Sequence, residues 1–401
     1  MKTRSILLGA FLLFTFVLTA QEPNAPAFGK GLFNLVGKDS SFTMKIGARM
    51  QLLAISEGQD DSDGFFSNNE TNFLVRRARL KFDGYAYSPK LRYKIELGLS
   101  NRDMSGGSEY TRNTPRYIMD AVIMWNFYEN FELWFGQTKL PGNIERVISS
   151  GNLQQVDRSL VNSRFNIDRD MGVQLRHHFN VSDTFVIREK LAFSQGEGRN
   201  VTDGNEGGFQ YTGRVELLPL GEFKSDGDYS GADLVREPTP KLFLAFTYDS
   251  NVDAVRTRSN LGSYMITDTG LYATTTNTIF ADLMFKYRGF SLMGEYSKRD
   301  AADPIAKNSD GSETGNVVWI GDGINLQGGY LFPNNWELSG RFTQIELDEA
   351  ITGRSPETQY TFGVSKYIVG HKLKVQSDLS YLSIENGDNE VMFRLQVDMH
   401  F

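Results

Sequence analysis

The chain has 401 residues, no cysteine and a formal net charge of −7 at pH 7. That length is ample for one large barrel or two soluble domains, while the lack of cysteine excludes a small disulfide scaffold and any thiol chemistry. The acidic balance, about −9 once Lys2 and Arg4 are set aside, argues against a nucleic-acid partner.

Residues 1–20, MKTRSILLGAFLLFTFVLTA, join a basic start to an apolar run from Ile6 to Leu18 and end on Ala20 before a polar QEPN. This is the pattern of a signal peptide, and the run is too short for a membrane-spanning helix. Leu18, three residues before the expected cut, departs from the small-residue rule. Residues 21–40 read as a short periplasmic segment and 41–401 as one transmembrane antiparallel β-barrel.

From residue 41 onward the chain repeats one unit, an alternating segment of about ten residues followed by a connection. In the first, Phe42, Met44, Ile46, Met50 and Leu52 share one face, and Lys45, Arg49 and Gln51 share the other. In the next, Leu74, Ala78, Leu80 and Phe82 oppose Arg77, Arg79, Lys81 and Asp83. The period of two predicts strands near 42–55, 73–87, 90–100, 116–128, 131–138, 170–179, 184–194 and 208–218. It continues with 241–249, 275–287, 290–297, 322–331, 336–347, 358–368, 372–384 and 391–401, about sixteen in all. Mean hydropathy of −0.36 and 12% aromatic residues fit such a barrel, whose strands are only half apolar and whose rims carry aromatic girdles.

Every second connection is tight, as at Ser88-Pro89, Glu129-Asn130 and Arg288-Gly289, and the others are long and polar. Short periplasmic turns alternating with longer external loops are the outer-membrane arrangement. The exception is 219–240, a long polar insertion at a turn position. The last strand alternates strictly and ends on Phe401, a closing aromatic of the kind read by the barrel-assembly machinery, so outer-membrane lipid is the expected surrounding.

No motif calls for catalysis, a metal or a cofactor. His177, His178, His371 and His400 lie in no nucleophile or zinc context. Asp60–Gly64 has part of a calcium-loop spacing without its later ligands, and reads as a solvated loop. The connection 139–169 is the longest. It carries Lys139, Arg146, Arg158, Arg164 and Arg169 together with Ile144, Val147, Ile148, Leu153, Val156, Leu160, Val161, Phe165 and Ile167. So many apolar residues predict that it folds into the lumen and narrows it, or else caps the outer surface. Inward cations form a ladder at Arg77, Arg79 and Lys81, extended by others such as Arg176, Lys190, Arg214, Arg341 and Lys374. Basic residues lining a narrow pore stabilise a passing anion; pairing with inward acids such as Asp120 and Glu216 is the competing reading.

Several segments resemble one family. Asn72-Phe-Leu-Val-Arg-Arg-Ala-Arg-Leu-Lys-Phe-Asp-Gly84 is similar to the signature N-F-x-x-R-R-A-R-L-x-F-x-G of the phosphate-selective porin O and P group. Gly136-Gln-Thr-Lys-Leu-Pro141, Asp157-Arg-Ser-Leu160, Arg169-Asp-Met-Gly-Val-Gln174 and Gly213-Arg-Val-Glu-Leu-Leu-Pro219 agree with it further on. The resemblance implies a sixteen-stranded homotrimeric porin whose third external loop folds inward and whose basic residues guide small anions such as phosphate. Arg77, Arg79, Lys139, Arg158 and Arg169 occupy matched motif positions, although the RRAR segment has a structural reading too, pairing with acids such as Glu96. A weakly selective general porin and a closed barrel with an adhesive or structural role are the alternatives.

Overall fold

The computed structural model describes residues 26–61, 64–202 and 206–401. The expected signal peptide lies outside the described residues, as does part of the acidic Asp60–Gly64 tip.

Sixteen strands form the barrel. The first eight are β1 (Thr43–Asp61), β2 (Gly64–Ala86), β3 (Ser88–Gly98), β4 (Ile118–Tyr128), β5 (Phe131–Lys139), β6 (Arg169–Asn180), β7 (Val186–Ser194) and β8 (Gln210–Leu218). The second eight are β9 (Lys241–Ala254), β10 (Thr274–Tyr287), β11 (Phe290–Ala301), β12 (Gly321–Leu331), β13 (Trp336–Leu347), β14 (Glu357–Tyr367), β15 (Leu373–Ile384) and β16 (Asn389–His400). Each pairs antiparallel with the next. The sheet closes where Arg49–Asp60 of β1 pairs with Asn389–His400 of β16, so neither edge is left open. Phe401 completes the seam, its amide donating to the Ala48 carbonyl at 2.8 Å and its ring meeting Phe28 edge-on at 5.9 Å.

The alternation is inside out. On β8, Gln210, Thr212, Arg214 and Glu216 are buried while Tyr211 and Val215 are exposed. On β14, Gln359, Thr361 and Ser365 are buried while Tyr360 and Phe362 are about half exposed. A soluble sheet hides its apolar face; this wall turns it outward, as a barrel in lipid must. The inward polar groups are then partnered by one another and by the connections packed against them.

Several segments outside the expected strands also carry β-structure. The predicted loop 56–72 is mostly strand: β1 and β2 run on as a long hairpin, with Ser56 opposite Thr71 and Glu57 opposite Glu70. Ladder hydrogen bonds hold it where side-chain alternation had faded. The long connections 250–274 and 298–321 likewise carry small hairpins, including Arg256–Arg258 with Leu261–Tyr264 and Ile305–Lys307 with Glu313–Val317. The segment expected as a short N-terminal lead adds a strand, Phe33–Val36, against Thr43–Ile46.

Candidate functional site

The site begins with a defect in the ladder. Gln51 pairs with Arg77, but Leu52 pairs with Val75, so Arg76 is the extra residue of a β-bulge. The bulge turns two consecutive guanidiniums to the same side, and both are buried. Arg76 contacts Asp157 at 2.6 Å; Arg77 donates to Gln51 Oε1 at 2.6 Å and reaches Asp157 at 3.5 Å. One turn of the ladder along, Arg79 bridges Glu96 at 2.9 Å and Asp103 at 2.8 Å. Strict alternation missed Arg76, and its only signal was two adjacent arginines in an otherwise alternating strand.

The connection from β5 to β6 supplies the opposite side. It contains two short helices, Ile144–Val147 and Leu160–Phe165, the second capped by the Ser159 hydroxyl, which accepts from the Asn162 amide. Of the nine apolar residues singled out there, all but Val147 and Leu160 are buried. Ile144, Ile148 and Leu153 pack with Val186, Leu218, Phe243, Met284 and Met293 of the wall. Val161, Phe165 and Ile167 pack with Ala192, Phe280, Ile345 and Leu347. Polar contacts reach strands far around the sheet. Asn143 donates to Glu295 of β11 at 3.0 Å, Gln154 to Glu337 of β13 at 2.7 Å, and the Val156 amide to Asp378 of β15 at 3.1 Å.

Between this segment and β2–β7 lies a cavity of about 880 Å³. Arg77, Arg79, Lys139, Arg146, Arg158 and Arg169, all singled out by the sequence, line it together. Arg102 and Arg199, from the connections after β3 and β7, join them and had no sequence signal, because nothing in a loop's own pattern says where its tip will land. Two of the expected residues lie elsewhere. Lys81 is 45% exposed and pairs with Asp83 at 3.0 Å. Arg164 pairs with Glu357 at 2.8 Å and stands over Trp319.

Fifteen Arg and Lys side chains line the cavity against eight Asp and Glu. Several cations have carboxylate partners: Arg169 with Asp120 at 3.0 Å, and Arg146 Nε with Asp168 at 2.7 Å. Arg158 and Lys139 are held differently. Arg158 donates to the carbonyls of Glu145 and Ile148, both at 2.7 Å, and Lys139 to those of Val147 at 3.0 Å and Ile148 at 3.2 Å. Carbonyl dipoles orient these two without cancelling their charge. Burial, then the neighbouring Arg146, pushes Arg158 down to about 9, which leaves it cationic at neutral pH. Burial would raise the Asp157 carboxyl, but Arg76, Arg77 and Arg394 together hold it well below the usual carboxylate range.

A closed sixteen-stranded barrel, apolar without, polar within and holding an off-centre charged cavity, is the architecture of a porin. The chain belongs to the phosphate-selective porin O and P family, whose model matches residues 48–392. It is thus an outer-membrane porin, and family and fold together point to a channel rather than an enzyme. Among solved structures it is similar to an anion-selective porin from Comamonas acidovorans (TM-score 0.53, 10% identity, 90% of this chain and 100% of that one). It is also similar to the outer-membrane channel DcaP of Acinetobacter baumannii (0.52, 14%, 92% and 100%). A third likeness is to the trimer form of OmpT from Vibrio cholerae (0.50, 12%, 88% and 99%). At these identities the likeness is one of fold.

Proposed function

We propose that the chain is a passive diffusion channel for small anions, phosphate among them, and that residues 140–168 fold into the lumen to form its constriction. The observation that carries this reading is the excess of cations around the cavity, fifteen against eight, with Arg158 and Lys139 held by carbonyls alone. A cationic narrows lowers the cost of dehydrating an anion and raises it for a cation. The anion path passes Arg76, Arg77, Arg79, Arg102, Lys139, Arg146, Arg158, Arg169 and Arg199. No turnover and no cofactor are involved.

The second reading, a weakly selective general porin, draws on the same wall: pairs such as Arg79 with Asp103 and Arg169 with Asp120 cancel part of the field. Reversal potentials in planar bilayers under a potassium chloride gradient separate the two. Anion selectivity, with further block of chloride current by added phosphate, is the expected result; cation selectivity overturns the proposal. The export route follows as part of it: residues 1–20 are removed, the barrel-assembly machinery reads Phe401, and the folded barrel sits in outer-membrane lipid as a homotrimer.

A further inference from the structure

Residues 219–240, between β8 and β9, stand where the other connections on that rim are tight turns. Their middle turns back against inward-facing side chains. Lys286 of β10 donates to three of their carbonyls, Gly227 at 2.7 Å, Ser230 at 2.8 Å and Ala232 at 2.8 Å. A buried ammonium satisfied by carbonyls clamps the segment in place. Phe223 is buried in the same apolar cluster as Ile144, Ile148 and Leu153. The Gly231 amide donates to the Asn152 carbonyl at 2.8 Å, and a Cβ at Gly231 would stand 2.5 Å from the Gln154 amide nitrogen, so only glycine allows this approach. Two segments entering from opposite rims therefore meet. Tyr229 lies at their junction and lines the cavity. Its hydroxyl accepts from Lys190 at 2.6 Å and donates to Glu216 at 2.9 Å, which fixes the ring beside the Lys190–Glu216 pair.

We propose that 219–240 is a second constriction element, built from the short-turn rim, with Tyr229 as the side chain that sets pore width there. The proposal rests on the diffusion-channel reading and adds a determinant of size that comes from a different connection than the 140–168 segment. Withdrawing the Tyr229 ring would widen the passage there.

The test uses the full chain in planar bilayers. Because the sequence contains no cysteine, Tyr229→Cys creates a unique thiol there. A negatively charged methanethiosulfonate should cut its current by roughly a third or more, and Tyr229→Ala should raise unitary conductance about 1.5-fold. A variant with 223–238 replaced by a short turn should raise it roughly two-fold or more, heat-modifiable mobility on gels confirming that it folds. Wild-type steps with all three variants unaltered overturn this inference and leave the channel reading standing. A silent wild type beside a conducting shortened variant does the reverse: the segment is then a plug. Silence in every form overturns both.

Discussion

Inward cations on β2–β7 and those on β8–β15 come from the same alternation and meet different fates. On the first arc, Arg77, Arg79 and Arg169 reach a cavity and face carboxylates such as Asp157, Asp103 and Asp120. On the second arc, Arg214, Arg299, Lys286 and Lys374 are fully buried and donate to backbone carbonyls of the connections 139–169 and 219–240. Arg214 reaches the Gly142 carbonyl at 2.7 Å, Arg299 that of Arg164 at 3.1 Å, and Lys374 that of Leu153 at 2.9 Å. Short helices and turns leave carbonyls without ladder partners, and buried guanidinium and ammonium groups need acceptors. Each thus satisfies the other. The lesson is that an inward-pointing basic residue lines the cavity only where no connection packs over it.

The contrast predicts its largest effect on stability. Arg214 also holds Glu216 at 2.8 Å and Asp282 at 2.6 Å; Glu216 keeps Lys190 at 2.5 Å, but Arg214→Met leaves the buried Asp282 carboxylate without its cation and should cost about 3–5 kcal/mol. Urea unfolding in detergent micelles measures it. Arg77→Met, which leaves Asp157 its Arg76 partner, should cost only about 1–2 kcal/mol. Equal costs would erase the distinction between the two arcs.

On the open arc, transport should respond instead. Arg158→Ala removes a cation that has no carboxylate within salt-bridge distance among the described residues, so reversal potentials should move toward cation preference by a factor of about 2–5 in permeability ratio, with higher conductance. Arg164→Ala is the matched control. Its partner is Glu357 and it lies off the cavity, so selectivity should be unchanged while stability falls by no more than ~1 kcal/mol; a selectivity change equal to that of Arg158→Ala would place it on the path after all.

The smallest expected effect concerns pH. Burial raises Asp157 and Asp168, but Arg76 and Arg146 respectively outweigh it and both carboxyls end well below their usual range. A depressed carboxylate contributes stability above its unfolded value of about 3.9 and loses it only as pH falls through the lower native value. Selectivity measured at pH 7 and at pH 5 should therefore agree, and a gain of anion preference on moving to pH 5 would mean that these carboxylates take up protons there and are not held low by their arginines.

Much of this was legible in advance. All sixteen strands announced themselves through period-two alternation, and the apolar content of 139–169 signalled a segment that had to be buried. Arg77, Arg79, Lys139, Arg146, Arg158 and Arg169 were named from the chain and are gathered around one cavity. Arg76 was not, because a bulge breaks the very periodicity by which faces are assigned. Nor was the length of the β1–β2 hairpin, since its polar outer part is held by backbone pairing that side-chain pattern does not report. Lys81 and Arg164 looked equivalent to their neighbours until their partners, Asp83 and Glu357, were seen.

The inside-out barrel needed only local information, because side-chain direction along a strand repeats every two residues and lipid selects which face is apolar. The gathering of cations around one cavity depended on closure of the sheet. Asp398 meets Arg49, and Asp378 meets the Val156 amide, across more than half the chain's length. Whether a given inward cation ends on a carboxylate, on a carbonyl or facing the cavity is settled by which distant segment arrives beside it, and no pattern along the chain encodes that meeting.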